Sequence, residues 1–455
     1  MPDSTNDNPM QETGVTGLRR AGGYVQDEFL PQLTGYRGSQ GYREMRDNDP
    51  VVGAILYAID KLIRQVKWRV QPASTRVEDQ RSAKFVESCL GDMSFSWEDT
   101  ISDILSMLAY GWSLHEIVYK RRTGESRDPS RNSKYSDGLV GWRKLPIRSQ
   151  ETRQEWKFGK HGEIEGMYQS APPSYTPVFI PMEKALLFRT TTAKNNPEGR
   201  SVLRNAYRPW FFKKRIEEIE AIGIERDLAG FPVMYVDPDI MRTDASGWKQ
   251  TIFQDYQDAV VNIRRDQQEG LIMPSIYDEE GNQMYKIELL SAGGARQFDT
   301  NPVITRYDQR IATTVLADFI LLGQAQHGSY ALSSDKTSLF ALSIKSWLEI
   351  VKNVMNDHAV PRLFRINGFQ TERLPGLEYG DIETPPLTEI GTFIQQLAGA
   401  GAPLFPDNSL ENHLRQMANL PEKREEAIGA TGDAGRADTG ISTESDEQVI
   451  RSMRG

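Results

Sequence analysis

Five histidines, one cysteine and a few acidic clusters are the side chains with which this 455-residue chain could do chemistry. His115-Glu116 opens like the zinc pattern H-E-x-x-H, in which two imidazoles one helical turn apart hold the metal and the carboxylate activates water. Position 119 is tyrosine, and Trp112–Lys120 alternates like a strand, so the second ligand is missing and the first is on the wrong kind of element. His161, His327, His358 and His413 are scattered, and no two histidines stand four residues apart. Cys89 follows Phe85 and Val86 near the end of a helix and reads as a packing residue rather than a nucleophile. Neither a phosphate-cradling G-x-x-x-x-G-K-[ST] loop nor a G-x-S-x-G elbow is present. Asp278, Glu279 and Glu280 offer carboxylates to a cation, but they sit between two predicted strands and read as a solvated turn. Lys213-Lys214-Arg215 offers charge to a phosphate, but Glu217, Glu218 and Glu220 follow at once, and the run reads as a salt-bridged, solvated helix face. With no catalytic constellation, the expectation is a protein that is not an enzyme and carries no cofactor or metal.

Composition narrows the classes further. Lys+Arg 54 against Asp+Glu 63 gives a net charge of −9, a poor balance for gripping DNA through its phosphates. A single cysteine leaves no disulfide framework and no cysteine-based zinc site. The opening residues lack a basic end followed by an apolar run. The best apolar stretch, Ile311 to Leu322, is too short to span a bilayer and contains Asp318. The expectation is a soluble protein made in the cytoplasm, with no membrane partner. Residues 1–20 and 421–455 are polar and without periodicity, and are expected to be disordered tails.

Between the tails, helix and strand alternate. Asp49-Pro50 caps a helix with Val52, Ile55, Ile59, Leu62 and Ile63 on one face. Trp68–Pro72 reads as a strand and 76–90 as a polar helix. Ser96 with Asp99 forms a capping-box-like start, and Gly111 ends that helix. A strand over 112–120, a Gly/Pro/Ser/Arg loop over 122–138, and strands over 140–147, 152–158, 163–170 and 185–190 complete an α+β first part. A long helix over 201–228 carries Phe212, Ile216, Ile219 and Gly223 on one stripe. Strands over 231–236, 270–273 and 285–290 and a helix over 247–265 form a small α/β insert. A helix from Pro302 to Leu322 follows it. Two helices bracketing a small module bury little apolar surface alone, so copies are expected to pack side by side. The segment Gly323–Ser334 is polar and long for a connector between helices. A third helix runs from Asp335 to Val360 and is expected to stop at Pro361. Short helices follow over 387–397 and 409–417.

This order of parts resembles the portal proteins of tailed bacteriophages, in their Mu-like branch. The stretches that carry the likeness are Asp47-Asn-Asp-Pro-Val-Val-Gly-Ala-Ile55, Ala109-Tyr-Gly-Trp-Ser-Leu-His-Glu-Ile-Val-Tyr119, Gly199-Arg-Ser-Val-Leu-Arg204, Ala229-Gly-Phe-Pro-Val233, and Leu322-Gly-Gln324 through Gly328-Ser-Tyr-Ala-Leu332. The resemblance implies an elongated α+β subunit. Its parts would be an α/β wing (21–200), stem helices (201–228 and 296–320), a clip (229–295), a tunnel loop (321–336), a long wing helix with the strand or loop after it (337–385), and a helical crown (386–420). It implies a ring, usually of twelve, at one capsid vertex of the virion, forming the channel for DNA packaging and ejection. The clip would dock the terminase large subunit and later the neck or adaptor proteins, through residues such as Trp248, Lys249, Asp278 and Glu279. Major capsid and scaffold proteins would be further partners. Gln324, Gln326, His327, Ser329, Tyr330 and Lys336 would face double-stranded DNA and touch it weakly. Phe212, Ile216, Ile219 and Gly223 would pack against neighbouring subunits. Two other readings are a minor head or neck protein without a channel, and a nucleic-acid-processing enzyme. Ring formation separates the first from a portal, and the missing catalytic constellation argues against the second.

Overall fold

The computed structural model describes residues 14–229, 231–236, 240–241, 247–263, 277, 281, 286–290, 299–314 and 330–380. The chain divides into two compact units, one of Met1–Arg204 with Thr314–Gly455 and one of Asn205–Thr313.

The first unit begins with β1 (Arg20–Ala21), β2 (Tyr24–Val25), α1 (Gly35–Asn48), α2 (Pro50–Arg64), β3 (Trp68–Gln71), α3 (Val77–Gly91) and α4 (Trp97–Tyr110). Short strands follow: β4 (Trp112–Glu116), β5 (Val118–Arg121), β6 (Val140–Lys144), β7 (Ile147–Arg148), β8 (Arg153–Phe158), β9 (Ile164–Ser170), β10 (Pro177–Pro181) and β11 (Ala185–Arg189). The second unit holds α5 (Tyr207–Ala229), β12 (Phe231–Tyr235), α6 (Trp248–Ile263), β13 (Lys286–Leu290) and α7 (Asn301–Thr314). The chain then supplies the first unit with α8 (Tyr330–Val354), a π turn at Met355–Ala359, α9 (Val360–Asn367) and β14 (Gly376–Tyr379).

Local chemistry explains the helix ends. Asp49 accepts from the backbone N–H groups of Val51 and Val52, each at 3.0 Å, and Pro50 occupies the first turn, where no N–H is needed. Ser96 Oγ accepts from Asp99 N at 3.0 Å. Gly111 closes α4 in the left-handed conformation, at φ +91°. From there the chain turns straight into β4, the middle strand of the antiparallel sheet β11-β4-β7. A second sheet, β10-β9-β8, shares a core with it, in which Trp112, Leu114, Trp156, Met167, Ile180 and Leu187 are all buried. Trp112 and Trp156 meet edge to face at 5.1 Å between ring centroids, a geometry worth about 1 kcal/mol beyond the area it buries.

Four sequence expectations change here. The strand expected over 112–120 is two strands: at Ile117 the N–H donates to Lys184 O, and the chain leaves one sheet to pair with β6 in another. β10 is not expected from the sequence, because prolines bracket it; it lies at a sheet edge, where a missing N–H is tolerated. Residues 14–20, expected to be tail, are partly held: Thr16 Oγ1 donates to Lys194 O at 2.9 Å, Leu18 packs on the core, and Arg20 pairs with Val25. Pro361 does not stop the third helix. The π turn at 355–359 resets the hydrogen-bond ladder, so Pro361 falls in the first turn of α9, where a proline costs nothing.

Two asparagines tie this helix to distant strands. Asn367 accepts from Val140 N at 2.8 Å and donates to Val140 O at 2.9 Å, across 227 residues of sequence. Asn356 does the same for Leu377, at 2.7 and 3.0 Å. Each amide stands in for one residue of a missing strand and satisfies both backbone groups of its partner. The loop after β5 is likewise pinned from within. Buried Lys120 donates to the carbonyls of Asp92 and Asn132 and pairs with the Asp92 carboxylate at 3.1 Å, while buried Arg122 pairs with Asp137 at 2.8 Å. The Asp92 carboxyl, although burial opposes it, is held below the usual carboxylate range by its bonds from Lys134 N, Ser133 and Lys120.

Candidate functional site

The side chains weighed for catalysis are occupied otherwise. His115 is wholly buried on β4, with its ring edge-on to Phe188 at 5.5 Å between centroids and Nδ1 2.8 Å from Leu145 O. A carbonyl only accepts, so Nδ1 carries the proton. Burial pushes the imidazole pKa down to about 4. Glu116 pairs with Arg148, and Tyr119 lies on β5 opposite Trp142. Cys89 is buried against Arg122, and burial raises its thiol to about 11, away from thiolate chemistry. Among the described residues no three His, Cys, Asp or Glu side chains gather as a metal-binding group, and no helix is long and apolar enough to cross a membrane.

The buried imidazole has a pH signature. Its folded pKa lies below its unfolded value of 6.5, so between those values the unfolded chain binds a proton that the folded chain refuses. Stability is therefore lost as the pH falls through that window, by about 3 kcal/mol from this residue. His115→Asn keeps a donor for Leu145 O and should remove that part of the slope. Urea midpoints from about pH 4.5 to 7 check this. An equal slope in the variant would refute the assignment.

In the second unit, α5 and α7 meet through polar and aromatic contacts. Lys213 is only 1% exposed, and its Nζ lies 2.6 Å from Asp308 Oδ1 and 3.9 Å from Glu217. Thr300 Oγ1 donates to Glu220, and Phe212 stacks on Tyr307 at 6.5 Å between centroids. Ile311 and Ala312 on α7 are buried. The expected solvated face at Lys213–Arg215 is therefore only partly so. Lys214 and Arg215 pair with Glu218 along the surface, whereas Lys213 is sunk against a carboxylate of another helix, far away in sequence.

The neighbouring side of α5 carries an exposed apolar stripe, on which the guanidinium groups of Arg208 and Arg215 lie over the Phe212 and Phe211 rings at 5.8 and 5.9 Å. At about 100° per residue, Phe211, Phe212, Ile216, Ile219, Ile222 and Gly223 fall within one side of the helix. Ile219 is 68% exposed and Ile222 47%, Phe211 and Phe212 are exposed, Ile216 is only partly covered, and nothing lies within 4 Å of a Cβ built on Gly223. The stripe expected from the sequence comprises Phe212, Ile216, Ile219 and Gly223. Phe211 and Ile222 extend it, and the 3.6-residue period alone is enough to find them.

The small α/β insert pairs β12 with β13 antiparallel, from Phe231↔Leu290 to Tyr235↔Lys286. α6 starts after Gly247, with Trp248 66% exposed and Lys249 only partly covered. Asp278 and Glu279, and the strand expected over 270–273, lie outside the described residues. So do Gln324, Gln326, His327 and Ser329, the crown at 386–420 and the tail at 421–455. The helix expected from Asp335 begins at Tyr330, so Tyr330 and Lys336 belong to α8 and not to a loop.

A family model described as the portal protein of Mu bacteriophage matches residues 39–415. Among solved structures, the chain is similar to one from the virion of the native gene transfer agent particle, with 12% identity and a TM-score of 0.46, covering 84% of this chain and 94% of that one. It is similar to one from the neck of the native gene transfer agent particle, with 13% identity, a TM-score of 0.47 and the same two coverages, 84% and 94%. It is also similar to an HK97 family phage portal protein from Corynebacterium diphtheriae, with 10% identity, a TM-score of 0.36, and coverage of 73% of this chain and 92% of that one.

Proposed function

The chain belongs to the portal protein family of Mu bacteriophage, whose members are structural virion proteins and not enzymes, and from that premise we propose that it closes into a ring around a DNA channel at one capsid vertex. In this reading the first unit is the wing, α5 and α7 are the stem, and residues 229–295 are the clip, which docks the terminase and then the neck or adaptor proteins. Trp248 and Lys249, with Asp278 and Glu279, are the clip residues offered to those partners. The segment 323–329 and the start of α8 line the channel and touch passing DNA through Gln324, Gln326, His327, Ser329, Tyr330 and Lys336. Residues 386–420 form the crown.

The observation that supports this reading is the exposed apolar stripe of α5. An isoleucine as exposed as Ile219, on the same side of the helix as Ile222 and two exposed phenylalanines, is apolar surface of the kind that marks a protein interface. Net charge fits the duty as well. At −9 per copy, a ring is strongly acidic as a whole and repels phosphates on average, so DNA slides instead of sticking.

Ile219→Asp tests it. The residue is exposed, so the subunit should fold and melt as before, while a buried carboxylate at each junction should move the assembly midpoint at least about tenfold toward free subunits. Negative-stain imaging with native mass reads this directly. Rings of unchanged size at unchanged concentration would mean that this side of α5 faces something other than a neighbour.

A further inference from the structure

A cleft of about 340 Å³ opens in the first unit between the chain that follows β2, the start of α1 and the stretch 191–204. That volume lies in the range that takes a ligand or a few side chains, about 300–1,000 Å³. Its inner wall is apolar, with Val25, Leu33 and Tyr42 buried there. Phe29 and Tyr110 line it too. Among the described residues Phe29 is the most exposed large apolar side chain, at 89%. The backbone beneath its ring is nonetheless fixed. Arg204 Nε and Nη2 donate to the two Glu28 carboxylate oxygens, each at 2.6 Å, and Glu28 Oε1 also accepts from Leu30 N at 2.9 Å. Both neighbours of Phe29 are thereby held, and a pre-positioned ring beside an apolar hollow is surface suited to be covered.

The start of the chain arrives at the rim of this cleft. Thr16 Oγ1 donates to Lys194 O at 2.9 Å, and Lys194 Nζ pairs with Asp27 at 3.0 Å. Asp27 and Ala193, on either side of that contact, both line the cleft. The described chain begins two residues before Thr16, at Gly14, so residues 1–13 set out from this rim. Their apolar side chains are Met1, Pro2, Pro9 and Met10. Met10 stands six residues before Thr16, a reach of about 20 Å when extended. An unbranched thioether fills irregular apolar space and packs against ring edges. Tethering supplies the rest. A short linker holds its end at an effective concentration of about millimolar, so a contact too weak to keep a free peptide can keep a strap.

We propose that residues 1–13 return over Lys194 as a strap and seat Pro9 and Met10 in the cleft of the same subunit, against Phe29 and Tyr110. The strap fastens the N-terminus beside the Glu28–Arg204 pair, at the last residue of the first unit. The contact lies wholly within that unit and does not rest on the ring reading.

Engineered cysteine pairs in the full-length chain test it, because the one native cysteine, Cys89, is buried. Met10→Cys with Tyr110→Cys should form a disulfide within one chain under mild oxidation. Met10→Cys with Phe29→Cys should do so from the rim, and a side chain as exposed as Phe29 can be replaced without disturbing the fold. Met10→Cys with His161→Cys is the comparison. His161 is exposed and adjoins Gly162, whose carbonyl accepts from Asn195 at 3.5 Å, so it is near the Lys194 anchor but does not line the cleft. The cleft pairs should close at least about tenfold faster than the comparison pair. Rates no higher than the comparison would mean that residues 1–13 have no seat in the cleft, and would overturn the strap. Disulfides that join two subunits would overturn it as well, and would assign the cleft to the N-terminus of a neighbouring copy.

Discussion

Replacing Gly111 by valine should leave little or no soluble folded chain, and alanine should do nearly as much harm. The residue sits at φ +91°, where a side chain is already strained, and a Cβ there would lie 2.5 Å from Glu198 O and 2.9 Å from Ser201 N. Those atoms are backbone, so no rotamer change relieves the clash. The approach is mutual. Gly199 is at φ +52°, and its own Cβ would crowd Gly111 O just as closely. Around this contact Thr190 N donates to Gly111 O at 3.0 Å, Val202 N to Leu108 O at 3.0 Å, and Ser201 Oγ to Ala109 O at 2.6 Å. Forcing the segments apart breaks these bonds together, and a loss above about 4 kcal/mol is expected from strain and unpaired buried groups combined. Gly138 is the control. It too has positive φ, at +70°, but open space around it, so Gly138→Ala should cost about 1 kcal/mol. Soluble yield and urea midpoints compare them. A Gly111→Ala variant as stable as Gly138→Ala would show that the close approach is not needed.

Asp308→Ala should be the most damaging single change in the second unit. It would take from the Lys213 ammonium, 1% exposed, the carboxylate at 2.6 Å, nearer than that of Glu217 at 3.9 Å. Removing one partner of a buried ion pair costs about 3–5 kcal/mol, and the low end applies because the Asp308 side chain is 24% exposed. Replacing both partners by apolar groups should cost far less, since desolvation of the pair disappears with its attraction. Lys213→Met with Asp308→Leu is therefore expected within about 1 kcal/mol of the unmodified chain. Fluorescence of Trp210, buried on the same helix, reports the unfolding of α5. If the double variant is as unstable as Asp308→Ala, the pair contributes more than its mutual neutralisation.

What the sequence discloses and what it hides divide by distance along the chain. The caps at Asp49, Ser96 and Gly111 are local chemistry, and each helix start or stop they imply is where the chain makes it. The stripe on α5 is legible because its period is intrinsic to the helix. Lys213 misleads because Lys214, Arg215, Glu217 and Glu218 follow it in sequence, while a carboxylate that lets it be buried comes from α7. The amide clamp of Asn367 on Val140 is invisible for the same reason. The Gly111–Gly199 contact is half visible. Both glycines lie in stretches that resemble the family, yet nothing in either stretch says that they touch.

The π turn between α8 and α9 decides which way the two asparagine clamps point. Asn356 and Asn367 are eleven residues apart. In an unbroken α-helix that spacing makes almost three whole turns, so both amides would project in nearly the same direction. The surplus residue in the π turn shifts the angular phase of the downstream helix by roughly 100°. One amide can then reach Leu377 on the strand paired with β3, and the other Val140 on the strand paired with β5. A single inserted residue thus works as a fixed gear between two small sheets: with the same eleven-residue spacing and no wide turn, both clamps would be aimed at a single azimuth.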